Sequence, residues 1–222
     1  MFTPIVFISI PALSVLQPYG SLFWFAGVVL LWSTRYTHQL GKRWGRAYYG
    51  LSIAIRPLGV LLIAFGWLVL YAPSAPEIWG PYVRSGLLPL GNAAEVLCWL
   101  AILLFFGLGV WAVIKLGFRR SFLFRHVDDP LITGGPYALV RHPQFLSAIG
   151  IAFFGALLYG PYAGGPFSDY FYQDGLTYML MNWAMFTLSL WLLAILEDRE
   201  LTAHFGDEYR EYAKRVPRML PN

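Results

Sequence analysis

Asn92–Ile114 reads NAAEVLCWLAILLFFGLGVWAVI, and its one charged residue, Glu95, stands in the first turn. A helix that crosses a bilayer needs about 20 mostly apolar residues, so this run has the length and the polarity of a membrane span. Four further segments follow the same rule less cleanly. One lies within Pro4–Ser33, where Gln17-Pro18 either kinks a single span or separates an apolar lead-in from a span beginning near Tyr19. Another is Pro57–Tyr71, extendable backwards through Tyr48–Ile55; the last two are Gln144–Tyr159 and Leu176–Leu196, both bounded by Gly, Pro or acidic residues. The resulting fold class is all-α: a polytopic membrane helix bundle of about five transmembrane helices, followed by a cytoplasmic C-terminal helix.

Composition points the same way. With 58% hydrophobic and 13% charged residues, and a mean hydropathy of +0.55, the chain suits a bilayer far better than water. Aromatic residues reach 18%, enough to furnish rings at two membrane interfaces as well as a packed interior. The lone cysteine, Cys98, lies in an apolar run; it excludes an intramolecular disulfide and a thiolate zinc site, and reads as a small buried hydrophobe. His38, His126, His142 and His204 are too scattered to define a metal site, so none is expected. The first residues carry neither a basic start nor a small-residue cleavage site, so the first hydrophobic segment is expected to stay in the mature protein.

Basic residues near span ends are retained on the cytoplasmic side, which sets the topology. The link between spans one and two holds Arg35, Lys42, Arg43, Arg46 and Arg56, and that between three and four holds Lys115, Arg119, Arg120, Arg125 and Arg141. The tail adds Arg199, Arg210, Lys214, Arg215 and Arg218, leaving only Arg84 on the other side. An odd number of spans, an outward N-terminus and an inward C-terminus agree with this distribution, whereas a sixth span made from Met1–Leu16 would break it. The net charge of +4 then reflects attraction to an anionic leaflet, since no nucleic-acid-binding module is visible.

Two polar clusters fall on the cytoplasmic side. In Thr133–Pro143, Gly134 and Gly135 permit a tight turn, Pro136 and Pro143 restrict φ, and Pro143 is placed to begin span four. The backbone amides there, with Arg141 and His142 beside them, could receive a carboxylate or phosphate; an interfacial helix cap with a snorkelling Arg would look the same. The second cluster is Glu197-Asp198-Arg199-Glu200 directly after span five. Glu197 and Glu200 share a helix face and Asp198 points elsewhere. Such acids are either met by cations or ligand, or form a solvated helix end partnered by Arg199 and Arg210. Phe205, Tyr209 and Tyr212 continue an i, i+4, i+7 aromatic stripe, read as packing of a C-terminal helix, while Lys214–Arg218 reads as a membrane-surface anchor. Gly107-Leu108-Gly109 lacks the preceding strand of a nucleotide fingerprint and suits close helix packing or room beside a ligand; Asn182 is expected to hydrogen-bond a neighbouring helix.

Taken together, Leu116-Gly117 after a long span, Leu131-Ile132-Thr133-Gly134-Gly135-Pro136-Tyr137 leading to Val140-Arg141-His142-Pro143 and Phe145-Leu146, then Glu197-Asp198, Leu201, Phe205-Gly206, Tyr209, Tyr212, Val216-Pro217 and Pro221 form an ordered pattern. It resembles the integral membrane methyltransferases of the isoprenylcysteine carboxyl methyltransferase and phospholipid methyltransferase superfamily, over about Trp111–Pro221. The resemblance implies transfer of a methyl group from S-adenosylmethionine to a lipophilic acceptor. Carried over by position, it puts Tyr137, Arg141, His142, Pro143 and Leu146 on one wall of the cofactor pocket and Glu197 and Asp198 on the other, with Arg141 and Glu197 in catalytic roles. Phe145 stands where tyrosine is usual, Ser147 where glycine is usual, and Asp198 replaces the second glutamate.

The chain then divides into residues 1–110, spans that pack and admit the acceptor, and residues 111–222, which carry the pocket. Prenylcysteine carboxylate, a phospholipid amine and a small thiol all remain open as acceptors. A membrane reductase of the sterol-reductase type, using NADPH, is the rival enzyme class, and a non-enzymatic membrane protein is the third reading.

Overall fold

The structure, a computed structural model, describes residues 16, 19–33, 46–71, 92–117, 121, 130–159 and 175–219. Within them the chain is helical and contains no strand: α1 (Gly20–Ser33), α2 (Arg46–Tyr71), α3 (Asn92–Leu116), a 3₁₀ turn (Gly135–Ala138), α4 (Pro143–Tyr159), α5 (Gly175–Phe205) and α6 (Asp207–Arg215). Of the five expected spans, two helices are long and apolar enough to cross a bilayer, Ala93–Leu116 and Leu176–Phe205. The other three, Gly20–Ser33, Ile55–Leu70 and Pro143–Leu158, are apolar but shorter. At 1.5 Å per residue a 14-residue α1 extends about 21 Å, less than the roughly 30 Å of a hydrocarbon core. Arg35, Lys42, Arg43, Arg84, Arg119, Arg120, Arg125, His38 and His126, the segment Met1–Val15 and the outward links fall outside the described residues, so much of the charge asymmetry does too.

The helices pair by close approach of small residues. In α1 and α2, Gly20 lies against Gly66 and Leu70, and Gly27 against Gly59 and Ile63, so the two helices run antiparallel. A Cβ added at Gly66 would come within 2.5 Å of Trp24 N and 2.7 Å of Gly20 O, which leaves space only for hydrogen. Lipid tails are as apolar as leucine, so association within a bilayer depends on this kind of van der Waals contact rather than on water exclusion. The four glycines, spaced seven apart in each helix, are a signal the motif reading did not use.

Trp24 and Val28 of α1, Trp67 and Leu70 of α2, Ala152 and Ala156 of α4, and Met179, Phe186, Leu190 and Leu193 of α5 form the buried core. Asn182 of α5 is the polar glue expected of it: its Oδ1 accepts from Ser21 Oγ at 2.8 Å and from Trp24 Nε1 at 3.3 Å, and its Nδ2 donates to Tyr178 O at 3.0 Å. These contacts make α1 and α5 parallel. α3 rests on α4, with Ser147 Oγ donating to Phe105 O at 2.7 Å, Gly109 facing Ser147 and Gly150 facing the Phe105 ring. The Gly107-Leu108-Gly109 stretch thus serves packing at Gly109, while Gly107 faces open space. Leu97, Leu100, Leu103, Leu104 and Ile114 stay exposed, the face a lipid-contacting helix presents. Because α4 runs antiparallel to both α3 and α5, the end of α3, the start of α4 and the end of α5 meet at one end of the bundle.

Candidate active site

Local backbone rules build the first wall. Gly135 has φ +66°, a conformation that favours glycine, and the aliphatic stem of Lys115 would lie 3.0 Å from a Cβ placed there. The chain then makes the single 3₁₀ turn Gly135–Ala138, buries Tyr137, and enters α4 at Pro143, as the sequence predicts. The second wall depends on Gly206. The α5 helix runs past the apolar residues through Glu197 and Asp198 to Phe205, and Gly206 at φ +59° then stops it, so α6 leaves in a new direction. The expected aromatic stripe is therefore broken: Phe205 belongs to α5, whereas Tyr209 and Tyr212 of α6 turn inward and are buried.

The C-terminal segment is strapped across the first wall. Tyr212 Oη donates to Tyr137 O at 2.6 Å, Arg141 N to Pro217 O at 2.9 Å and His142 N to Arg218 O at 3.1 Å. The last two bonds occupy the backbone amides of Arg141 and His142, just ahead of α4, with carbonyls of the chain's own tail.

Asp198 is where these elements converge. Its Oδ1 accepts from His142 Nε2 at 2.8 Å and from Tyr209 Oη; its Oδ2 accepts from Arg141 at 2.9 Å and from Arg218 Nε at 2.7 Å. The carboxylate is nearly inaccessible, and its cations are only partly exposed, so these charge-assisted bonds act largely shielded from water. The alternative partners behave differently. Arg210 pairs with Asp207 on the exposed surface, and Arg218, read as a membrane anchor, reaches inward and also lies over the Trp191 ring at 5.6 Å.

His142 joins the two carboxylates. Its Nε2 faces Asp198 and its Nδ1 stands 3.3 Å from Glu197 Oε2. A neutral imidazole has one N–H and one lone pair, so a ring with a carboxylate at both nitrogens is best satisfied as imidazolium. Burial opposes the charge, but the hydrogen bonds to Asp198 and Glu197 and their negative charges outweigh it, and the His142 pKa lies above its ordinary range. Phe145 stacks on the ring with centroids 5.5 Å apart and planes within 5°, an apolar cover on one face of the imidazolium. A raised folded-state pKa means that this stabilisation is complete below the unfolded value of about 6.5 and is lost as pH rises through the folded value. Thermal midpoints of wild type and His142→Gln, compared from about pH 5 to about pH 9, are therefore expected to differ most at the acid end and to converge on the alkaline side; a constant gap would contradict the charged assignment.

Around this junction lies an open cleft with a cavity volume of about 40 Å³. Tyr137, Arg141, His142, Pro143 and Glu197 line it, so these five expected site residues from two distant segments share one space. Leu146 and Asp198 do not line it; Asp198 lies behind the wall, holding Arg141 and His142 in place. Gln144, Phe145, Tyr209 and Tyr212 line the cleft without having been expected to. Burial, first, and contact with Asp198 push the Tyr209 pKa up, and burial brings Tyr212 to about 12. Both hydroxyls thus remain protonated donors at physiological pH and neither can serve as a base. One donor remains over: Arg141 Nε is buried without a hydrogen-bond partner among the described residues. A buried N–H of a guanidinium carries a desolvation cost that an anionic ligand would relieve.

A stretch of 97 residues is 30% identical to the protein-S-isoprenylcysteine O-methyltransferase of Schizosaccharomyces pombe. The chain is similar to a methyltransferase. The match covers 44% of this chain and 35% of the relative, so the chain spans about a third of the length of the curated protein it matches. No family model matches, and no solved structure does.

Proposed function

We propose that the protein is an S-adenosylmethionine-dependent methyltransferase of the membrane, acting on a lipophilic acceptor. The observation that carries this reading is the convergence of Arg141, His142 and Glu197 on one cleft at the end of an apolar bundle, together with the similarity to a methyltransferase. The residues present fit such a cofactor. Arg141 offers a buried, unsatisfied Nε–H to a carboxylate, and Glu197 offers a carboxylate on the cleft wall to an ammonium or to ribose hydroxyls. When bound, the cofactor supplies an electrophilic methyl on a sulfonium, and the reaction is an in-line displacement by the acceptor's nucleophile.

The protein's tasks are then positioning and exclusion of water. Asp198 holds Arg141 from behind through Nη1, and the buried Nε, without a hydrogen-bond partner among the described residues, is the donor that a bound carboxylate would satisfy. His142 Nδ1 stands 3.3 Å from Glu197 Oε2 and helps to orient that carboxylate on the cleft wall. Glu197 acts first as a ligand for the cofactor's positive charge and only second as a base. Tyr209 and Tyr212 close the side formed by α6, and the apolar Leu116, Leu131 and Ile132 keep part of the cleft dry. Residues 1–110 would present the acceptor from the bilayer, and the cleft would face the cytosol, in keeping with the basic residues near the span ends.

Titration of purified protein with labelled S-adenosylmethionine tests the reading, followed by incubation with total lipid extract and identification of the labelled product by mass. Saturable binding and a methylated lipophilic product are expected, with Glu197→Gln binding the cofactor about tenfold or more weakly through loss of a charge-assisted contact. Absence of cofactor binding to the folded wild type would end the proposal, and saturable binding of NADPH in its place would favour a reductase.

A further inference from the structure

The amide of Gln144 has its orientation set by its neighbours. Gln144 Nε2 donates to Ser121 Oγ at 2.9 Å, and Ser121 Oγ donates to Gly117 O at 3.0 Å. A serine hydroxyl has one proton. With that proton committed to Gly117, Ser121 can only accept from Gln144, so the amide nitrogen is tied to the end of α3 and the oxygen is the end left over. No donor among the described residues reaches Gln144 Oε1, although Gln144 lines the cleft. An acceptor of fixed sense on a cleft wall, exchanging only with solvent, is open to a ligand that presents an N–H or an O–H.

The cleft's polarity decides which donor. Arg141, His142 and Glu197 are gathered around Asp198 on the side of α5, whereas Gln144 is anchored to α3, which lies across α4 from α5. Near Gln144, the lining from the end of α3 and the segment before the 3₁₀ turn is Leu116, Leu131 and Ile132. The cleft therefore has a charged region and an apolar region that contains one neutral acceptor. S-adenosylmethionine has the same division: a zwitterionic amino-acid end, and a flat purine whose exocyclic amine is a neutral donor.

We infer that Gln144 Oε1 accepts a hydrogen bond from the exocyclic amine of the cofactor's adenine, with the purine against Leu116, Leu131 and Ile132, so that Gln144 is the residue that selects adenine. The inference rests on the methyltransferase reading above and extends it to the base end of the ligand. Ser121 is the positioning residue behind it, since its proton sets which end of the amide faces the ligand.

Calorimetric titration of the purified full chain in detergent with two ligands tests it: S-adenosylhomocysteine, and the analogue that carries hydrogen in place of the exocyclic amine. Wild type is expected to bind the adenine ligand about tenfold more tightly, the scale of one neutral hydrogen bond. In Gln144→Met, which keeps the side-chain length and lacks an acceptor, the ratio is expected to fall to about one, through weaker binding of the adenine ligand. Equal affinities in wild type would overturn the assignment, even if the variant does not fold, and so would a preference that survives Gln144→Met. Wild type that binds neither ligand would bring down the methyltransferase reading and this one with it, an outcome distinct from binding both equally.

Discussion

Asp198→Asn is expected to disable the protein while leaving the volume at that position almost unchanged. The asparagine carbonyl can still accept from His142 and Tyr209, but its amide nitrogen would face Arg141 and Arg218, donor against donor, where Oδ2 now accepts from both. The larger loss is the charge. Arg141, His142 and Arg218 would remain gathered at a largely shielded site from which one of two neighbouring carboxylates has been removed. Breaking a buried ion pair by deleting one partner costs roughly 3 to 5 kcal/mol, because the surviving charges stay desolvated. For a chain of this size the thermal midpoint should fall by on the order of 10 °C. On the proposed methyltransferase reading, affinity for S-adenosylmethionine should fall with it by at least about a hundredfold, since Arg141 and His142 lose the group that aims them. Unfolding in detergent, followed by ligand titration below the variant's midpoint, measures both effects. A variant within about 2 °C of wild type would show that Asp198 is not what holds the two walls together.

Gly66→Leu is expected to part α1 from α2. Its Cβ would sit 2.5 Å from Trp24 N and 2.7 Å from Gly20 O, and backbone atoms cannot swing aside as a side-chain terminus can. Relief therefore requires the helices to separate, which forfeits the dispersion contacts that hold a pair together in lipid. Overpacking of this kind costs typically 1 to 3 kcal/mol, and a backbone-to-backbone collision belongs at the upper end. Gly107→Leu is the control: nothing lies within 4 Å of a Cβ there, so the midpoint should barely move. The two discussed variants also separate stability from function. Gly66 packs against Gly20 at the start of α1, the end of the bundle at which the parallel α5 also begins, remote from the cleft at the end of α5. Gly66→Leu should thus lower the midpoint yet leave the ligand affinity of the folded fraction within about twofold, whereas Asp198→Asn should change both.

How much of this was legible in the sequence varies with the range of the interaction. Helix starts and stops are local, so Pro143 at the start of α4, the helix over Asn92–Leu116 and the extension of the second helix back through Tyr48 all follow from proline geometry, glycine and the length of apolar runs. The site residues stood out because polar groups beside apolar runs are costly without partners. What the partners are is a different matter. Arg210 is nearer to the acids in sequence than Arg141, yet Arg141, 57 residues away, holds Asp198, and Arg218 arrives only because Gly206 redirects the chain. Helical periodicity carried through Phe205, Tyr209 and Tyr212 could not register that break, since one residue at positive φ resets the phase of everything after it. Ser121 and Gln144 carried no signal of their own: a polar residue at a helix start is common, and only the direction of the hydroxyl's bond to Gly117 gives the amide a sense.

The sequence by itself determined the helical class of the molecule and the place of its candidate site: apolar helices, and an imidazole-guanidinium corner and an acidic helix end that need company in a low-dielectric setting. Only the tertiary structure decided the division of labour between adjacent carboxylates, Glu197 on the cleft wall and Asp198 behind it. Successive residues on a helix point about 100° apart, so which of the two meets the cavity depends on how α5 is rotated against α4. That rotation is set by Trp183, Phe153 and the rest of the packed interface, far from the acids themselves.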